Sequence, residues 1–228
     1  MLEYALYPRG EVLTKPSRII FLLHGYGSNK DDLISLAPEL SKYVSDTLFI
    51  SFNAVERLEG ADYSIDAYQW FSLLDRSDEK VLAGAIKASK KLKDSMIDHI
   101  DNYGLTWGDV AFVGFSQGAM MAMYLGLRLE SQIRGIIGYS GLLIAHDKLQ
   151  SDVISKPPIL LVHGIEDNVV PVEQAYTAYD ALKANTVSVE LLECAKLGHG
   201  IDVEGIERGG RFLNQIFDIR FHNNCDET

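Results

Sequence analysis

The chain carries only two cysteines in 228 residues, Cys194 and Cys225. Two in a chain of this size do not make a disulfide framework, and free thiols suit a reducing compartment. Long apolar runs are also missing. The run at residues 19–23 is far too short to cross a bilayer, which takes about 20 apolar residues. The N-terminal stretch MLEYALYPRGEVL has no basic start followed by a long apolar run. No secretory leader is therefore expected, and the cytoplasm is the default expectation. Positive charge is in short supply, with 21 Lys and Arg against 32 Asp and Glu and a formal net charge of −11. An acidic surface repels phosphate backbones, so nucleic acid is not an expected partner. Stable membrane insertion is not expected either, since anionic headgroups repel the same surface. No histidine pair has a metal spacing such as HExxH and the cysteines lie far apart, so neither a metal nor a cofactor is expected.

What is present reads as a globular α/β protein. Hydrophobic residues make up 47% and charged residues 23%, close to ordinary soluble domains. A chain of this length buries roughly 70% of its unfolded surface and needs no staples. No repeat, low-complexity tract or linker divides it. A single domain over residues 1–228 is expected, with residues 222–228 as a flexible tail. The sequence leaves the oligomeric state open, a homodimer included.

Short apolar runs alternate with longer stretches of helical period. Strands are predicted at residues 18–23, 48–52, 110–114, 135–139, 159–163 and 188–193, with an outer antiparallel strand at 3–7. Several are continuous apolar runs, as parallel strands buried on both faces require. Helices are predicted at 31–44 with Asn29 as cap, 78–103, 117–129, 172–184 behind Pro171, and 204–219. In the second, Val81, Ile86, Leu92, Met96 and Ile100 are spaced to form one apolar face. This alternation predicts a mostly parallel sheet with helices on both faces. Ligands in such sheets bind beyond the carboxyl ends of the strands.

The unusual residues fall at those ends. Gly114-Phe115-Ser116-Gln117-Gly118 sits between a predicted strand and a predicted helix, the context of a nucleophile elbow. A serine hydroxyl is a weak nucleophile and needs a base, which needs an orienting acid. After the strand at 159–163 come Glu166 and Asp167, either of which could be that acid. His199, flanked by Gly198 and Gly200 after the last strand, completes the order Ser, Asp, His. An oxyanion hole needs two backbone N–H donors. Gln117, the residue after the nucleophile, is one candidate, and the loop His24-Gly25-Tyr26-Gly27 offers the other. His24 and His163 each precede a glycine at a strand end and are expected to shape those loops. His99, His146 and His222 read as surface or helix residues. Trp70, Phe71 and Leu73 are candidate apolar walls for an acyl chain, or ordinary core.

The segments LLHGYGSNKDDL, GFSQGAMMAM, HGIEDNVVP and LGHGI together resemble the phospholipase/carboxylesterase family, which includes the acyl-protein thioesterases. The resemblance runs over almost the whole chain. It implies the α/β-hydrolase fold, with Ser116, Asp167 and His199 as triad and the Tyr26 and Gln117 N–H groups as oxyanion donors. Trp70-Phe71 match the family's aromatic pair, but Ser72 stands where an acid usually follows. Residues 55–69 look like a short version of the family's variable loop.

The expected activity is hydrolysis of carboxylic esters or thioesters of short to medium acyl chains. The substrate would be a small-molecule or lipid-like acyl ester. An acyl-protein thioesterase or lysophospholipase acting on long chains is the main alternative, beside a lipase, lactonase or peptidase. A non-catalytic binding protein would be expected to lack a triad member, and all three are present.

Overall fold

The computed structural model describes residues 1–8 and 15–218. Cys225, His222 and the tail at 222–228 lie outside the described residues. The strands are β1 (Tyr4–Tyr7), β2 (Arg18–Leu23), β3 (Thr47–Phe52), β4 (Glu56–Arg57), β5 (Tyr68–Gln69), β6 (Val110–Phe115), β7 (Gly135–Tyr139), β8 (Ile159–Gly164) and β9 (Val189–Cys194). Seven of them form one sheet in the order β1-β3-β2-β6-β7-β8-β9. β1 runs antiparallel to β3, and every other pairing in this sheet is parallel. β4 and β5 make a separate two-stranded antiparallel hairpin.

Helices are α1 (Lys30–Leu33), α2 (Ala37–Leu40), α3 (Asp78–Asn102), α4 (Gln117–Gly126), α5 (Leu149–Asp152), α6 (Glu173–Ala184) and α7 (Val203–Asp218). β2 shows why the sheet needs cover on both sides. Ile19, Phe21 and Leu23 join the core under α3 and α4, while Ile20 and Leu22 join the core under α2 and α7. Successive side chains of a strand point to opposite faces, so a strand apolar throughout must be buried twice. No described helix is long and apolar enough to cross a membrane.

Two expectations need correction. The helix predicted at 31–44 is three short turns, α1, a 3₁₀ turn at Ile34–Leu36 and α2. Pro38 lies in the first turn of α2, and its missing N–H interrupts a continuous ladder. Asn29 does cap α1, accepting from the Asp31 and Asp32 N–H groups. On α3 the buried face is Ala85, Ala88, Leu92, Met96 and Ile100, whereas Ile86 is exposed. The first half of α3 packs on Phe71, with Gly84, Ala85 and Ala88 as its small residues, and Ile86 points away from that contact.

Candidate active site

β6 ends at Phe115 and α4 begins at Gln117, leaving Ser116 alone at the corner with φ 53° and ψ −119°. A non-glycine residue held there stores roughly 1–3 kcal/mol of backbone strain. Its neighbours explain how the corner closes. A Cβ on Gly118 would lie 1.9 Å from the Leu23 carbonyl oxygen, and one on Gly114 would lie 2.4 Å from the Gly118 oxygen. Only glycine permits so close an approach of strand and helix. The Ser116 N–H donates to the Tyr139 carbonyl at 2.8 Å, tying the corner to β7.

Two loops from later strands meet this serine. Behind β8, Asp167 turns its carboxylate inward, with its side chain fully buried. Its Oδ1 accepts from the Val169 and Val170 N–H groups, both at 2.8 Å. Its Oδ2 accepts from His199 Nδ1 at 2.7 Å. Burial works to raise the Asp167 carboxyl, but the bonds from His199, Val170 and Val169 outweigh it and hold the group below the usual carboxylate range. A carboxylate on Nδ1 leaves Nε2 as the acceptor, and the Ser116 Oγ–H donates to it at 3.0 Å. The Phe115 ring packs 4.9 Å from the His199 ring, centre to centre. Glu166, the rival acid of the sequence, faces solvent.

The structure therefore brings Ser116, His199 and Asp167 together in one hydrogen-bonded line. Gln117 follows Ser116 directly, and the loop that carries Tyr26 lies beside Ser116 at Gly25. Gln117 is the first residue of α4, where backbone N–H groups have no partner within the helix. Tyr26 lies in the loop after β2, and a Cβ on the neighbouring Gly25 would sit 3.4 Å from Ser116 Cβ. Burial raises the Cys194 thiol to about 11, which disfavours its thiolate.

Two of the three acyl-wall candidates are packed away from solvent. Trp70 is 1% exposed and Phe71 2%, so neither offers open surface beside Ser116. Phe71 is packed against the start of α3, where a Cβ on Gly84 would be 2.5 Å from its own Cβ. Leu73 alone of the three is partly exposed. Trp70 serves instead as a hydrogen-bonded brace, its indole N–H donating to the His24 carbonyl at 2.8 Å.

A second brace went unread in the sequence. The Gln117 side chain accepts from the Trp70 N–H at 2.8 Å and donates to the Phe71 carbonyl at 2.7 Å. The signal was a long amide side chain directly after Ser116, at a helix start where it must turn back into the protein. His24 also bonds at both ring nitrogens, to Ala54 and Gly25. Burial pushes its imidazole down to about 4, against the upward pull of the Gly25 carbonyl.

The chain resembles known proteins over most of its length. The sequence profile described as phospholipase/carboxylesterase matches residues 12–217. The crystal structure of esterase PE8 superposes with a TM-score of 0.87 at 38% identity, covering 94% of this chain and 99% of that one. Acyl-protein thioesterase 1 homolog 1 of Dictyostelium discoideum is 26% identical over 92% of this chain and 94% of its own length. The fold is shared with the Bacillus cereus carboxylesterase, with a TM-score of 0.74 at 17% identity over 95% of each chain. With an α/β sheet of this topology and a profile match over most of its length, the chain belongs to the phospholipase/carboxylesterase family of hydrolases.

Proposed function

We propose that the protein cleaves carboxylic esters and thioesters of short to medium acyl chains through an acyl-enzyme on Ser116. The observation that carries this reading is the line from Ser116 Oγ to His199 at 3.0 Å and from His199 to Asp167 at 2.7 Å. His199 Nε2 takes the hydroxyl proton as Oγ attacks the acyl carbon. The Tyr26 and Gln117 N–H groups hold the oxyanion that forms. His199 then hands its proton to the leaving alcohol or thiol, and the acyl–oxygen or acyl–sulfur bond breaks. Water repeats the two steps, releasing the acid and restoring the serine. Asp167 keeps the histidine tautomer and stabilises the imidazolium. We read residues 1–228 as one domain acting in the cytoplasm, on the strength of the continuous sheet and the buried free thiol of Cys194.

Short acyl chains follow from the walls. Each buried CH₂ contributes about 0.8 kcal/mol only where it meets a dry apolar surface. Trp70 and Phe71 are fully packed, which leaves half-buried Leu73, and Leu142 beyond β7, to supply that surface. The names of the relatives favour a second reading, a thioesterase for protein-bound acyl groups; we read long acyl chains as its expected substrates. A fluorophosphonate probe should label Ser116 and abolish turnover, and Ser116→Ala should lose several orders of magnitude in ester hydrolysis while staying folded. Near-normal activity in that variant would sink the reading. A steady rise of kcat/KM from acetyl to palmitoyl esters would favour the second.

A further inference from the structure

The His24 side chain hydrogen-bonds none of Ser116, Asp167 and His199, yet its ring is completely buried and both ring nitrogens are engaged. The Ala54 N–H points at Nε2, 3.0 Å away. A backbone N–H can only donate, so Nε2 is the bare nitrogen and the hydrogen sits on Nδ1. That Nδ1–H donates to the Gly25 carbonyl at 2.7 Å. The same oxygen accepts from the Ser28 N–H at 3.3 Å, closing a turn.

The Gly25 carbonyl and the Tyr26 N–H belong to one peptide unit. It is trans and planar, so the two groups point in opposite directions. Whatever fixes the oxygen aims the N–H. Among the described residues no protein acceptor takes that N–H. Gly25 itself lies against the elbow, 3.1 Å from the Phe115 ring if a Cβ is built on it. The preceding peptide is held as well, by the Trp70 indole on the His24 carbonyl. Trp70 is in turn held at its own N–H by Gln117, the other oxyanion donor. The two donors are thus joined through one buried network of hydrogen bonds.

We propose that His24 is a positioning residue of the oxyanion hole: its Nδ1–H grips the Gly25 carbonyl and so sets the tilt of the peptide that presents the Tyr26 N–H to the developing oxyanion. This rests on acyl transfer at Ser116 as proposed above. A purely structural His24 would matter through its other nitrogen, by pinning Ala54 and filling the core. The two roles use different atoms and come apart by mutation. In His24→Asn, the amide nitrogen on Cγ replaces Nδ1 and keeps a donor for Gly25, while the Ala54 N–H loses its acceptor. In His24→Gln, the longer amide reaches Ala54 with its oxygen and leaves the Gly25 carbonyl ungripped.

The readout is the ratio of kcat/KM for p-nitrophenyl acetate to that for its thiono analogue. Sulfur in place of the carbonyl oxygen accepts hydrogen bonds poorly, so this ratio reports the oxyanion hole rather than general damage. Losing an oxyanion donor outright costs about 10²–10³ in kcat, so a misaimed donor should cost roughly 10-fold. We expect His24→Gln to lower the ratio by about that factor, mainly through kcat, and His24→Asn to keep it within about 3-fold of wild type. Thermal midpoints, measured in parallel, should fall more in His24→Asn than in His24→Gln. A wild-type ratio in His24→Gln, or a loss confined to His24→Asn, would overturn the role of His24 while leaving Ser116 in place. Unimpaired turnover in Ser116→Ala would overturn the underlying chemistry instead, so the two failures are distinguishable.

Discussion

His163 Nε2 lies 3.4 Å from Asp167 Oδ2, the carboxylate oxygen that His199 Nδ1 holds at 2.7 Å. The His163 ring is buried, and its Nε2 also lies 2.8 Å from the Val170 carbonyl, to which it donates. Val170 in turn donates its N–H to the other oxygen of Asp167. Asp167 is therefore seated in a closed ring of contacts supplied by the strand end and the loop behind it. His163→Leu should break that ring without touching Ser116 or His199. It leaves a buried carbonyl unpaired, which costs about 1–3 kcal/mol. We predict a lower urea midpoint and a kcat reduced by about 10-fold, because a loosened acid orients its histidine less well. Unchanged turnover and midpoint would show that the contact does nothing.

Asp167 and Glu166 are neighbours in sequence with opposite exposures, one inward against His199 and one in solvent. Asp167→Asn should cost on the order of 10⁴ in turnover, since an amide favours the wrong histidine tautomer. Glu166→Gln should leave turnover within about 2-fold, as surface changes away from the chemistry usually do. The reverse ranking in a steady-state ester assay would reassign the acid.

Ser116, Asp167 and His199, which the structure brings into one hydrogen-bonded line, were legible because each lies just after a predicted strand, and that pattern is local. Strand positions were legible for the same reason, from Arg18–Leu23 to Gly135–Tyr139. What escaped was long-range. The order of the strands, the β4–β5 hairpin with two residues on each side, and the use of Trp70 as a brace depend on contacts between distant segments. An aromatic pair before a helix looks the same whether it faces a substrate or the core. Burial decides, and only the packed structure sets burial. The sequence points to the Gln117 backbone alone, because a side chain that bonds 46 and 47 residues away leaves no periodic trace.

Acid should destabilise the protein over a defined window. His24 is held neutral by burial, with its imidazole lowered from 6.5 to about 4, and burial also lowers His99. Between those pH values the unfolded chain binds a proton at His24 that the native state refuses. Stability is therefore complete above pH ~6.5 and is lost as pH falls toward about 4, by up to about 3 kcal/mol from His24 alone. Asp167 acts in the same direction further down, since its depressed carboxyl contributes stability above the ordinary carboxylate range that is lost on protonation. Thermal unfolding from pH 7.5 to 4 should show the midpoint falling, with a shallower fall in His24→Gln. A flat midpoint across that range would contradict the assignment.

Trp70→Phe separates the brace from the wall. The indole is 1% exposed, sits 5.6 Å from the His24 ring, and donates its N–H to the His24 carbonyl. Phenylalanine keeps most of the apolar volume and removes that donor. A buried carbonyl left without its partner costs about 1–3 kcal/mol, so the thermal midpoint should drop by several degrees. The loop after β2, which carries the proposed oxyanion donor Tyr26, loses one of its ties, so kcat should fall for every ester by a similar factor. The profile of kcat/KM against acyl length, from acetyl to octanoyl, should shift downward as a parallel curve, because no surface that meets the chain has changed. Leu73→Ala and Leu142→Ala should behave the other way, sparing acetyl esters and weakening longer ones, since each buried CH₂ that loses its wall forfeits about 0.8 kcal/mol. If Trp70→Phe instead spared acetyl esters and selectively weakened the longer ones, the indole would line the acyl path after all, and the segment behind β5 would have to open when substrate binds.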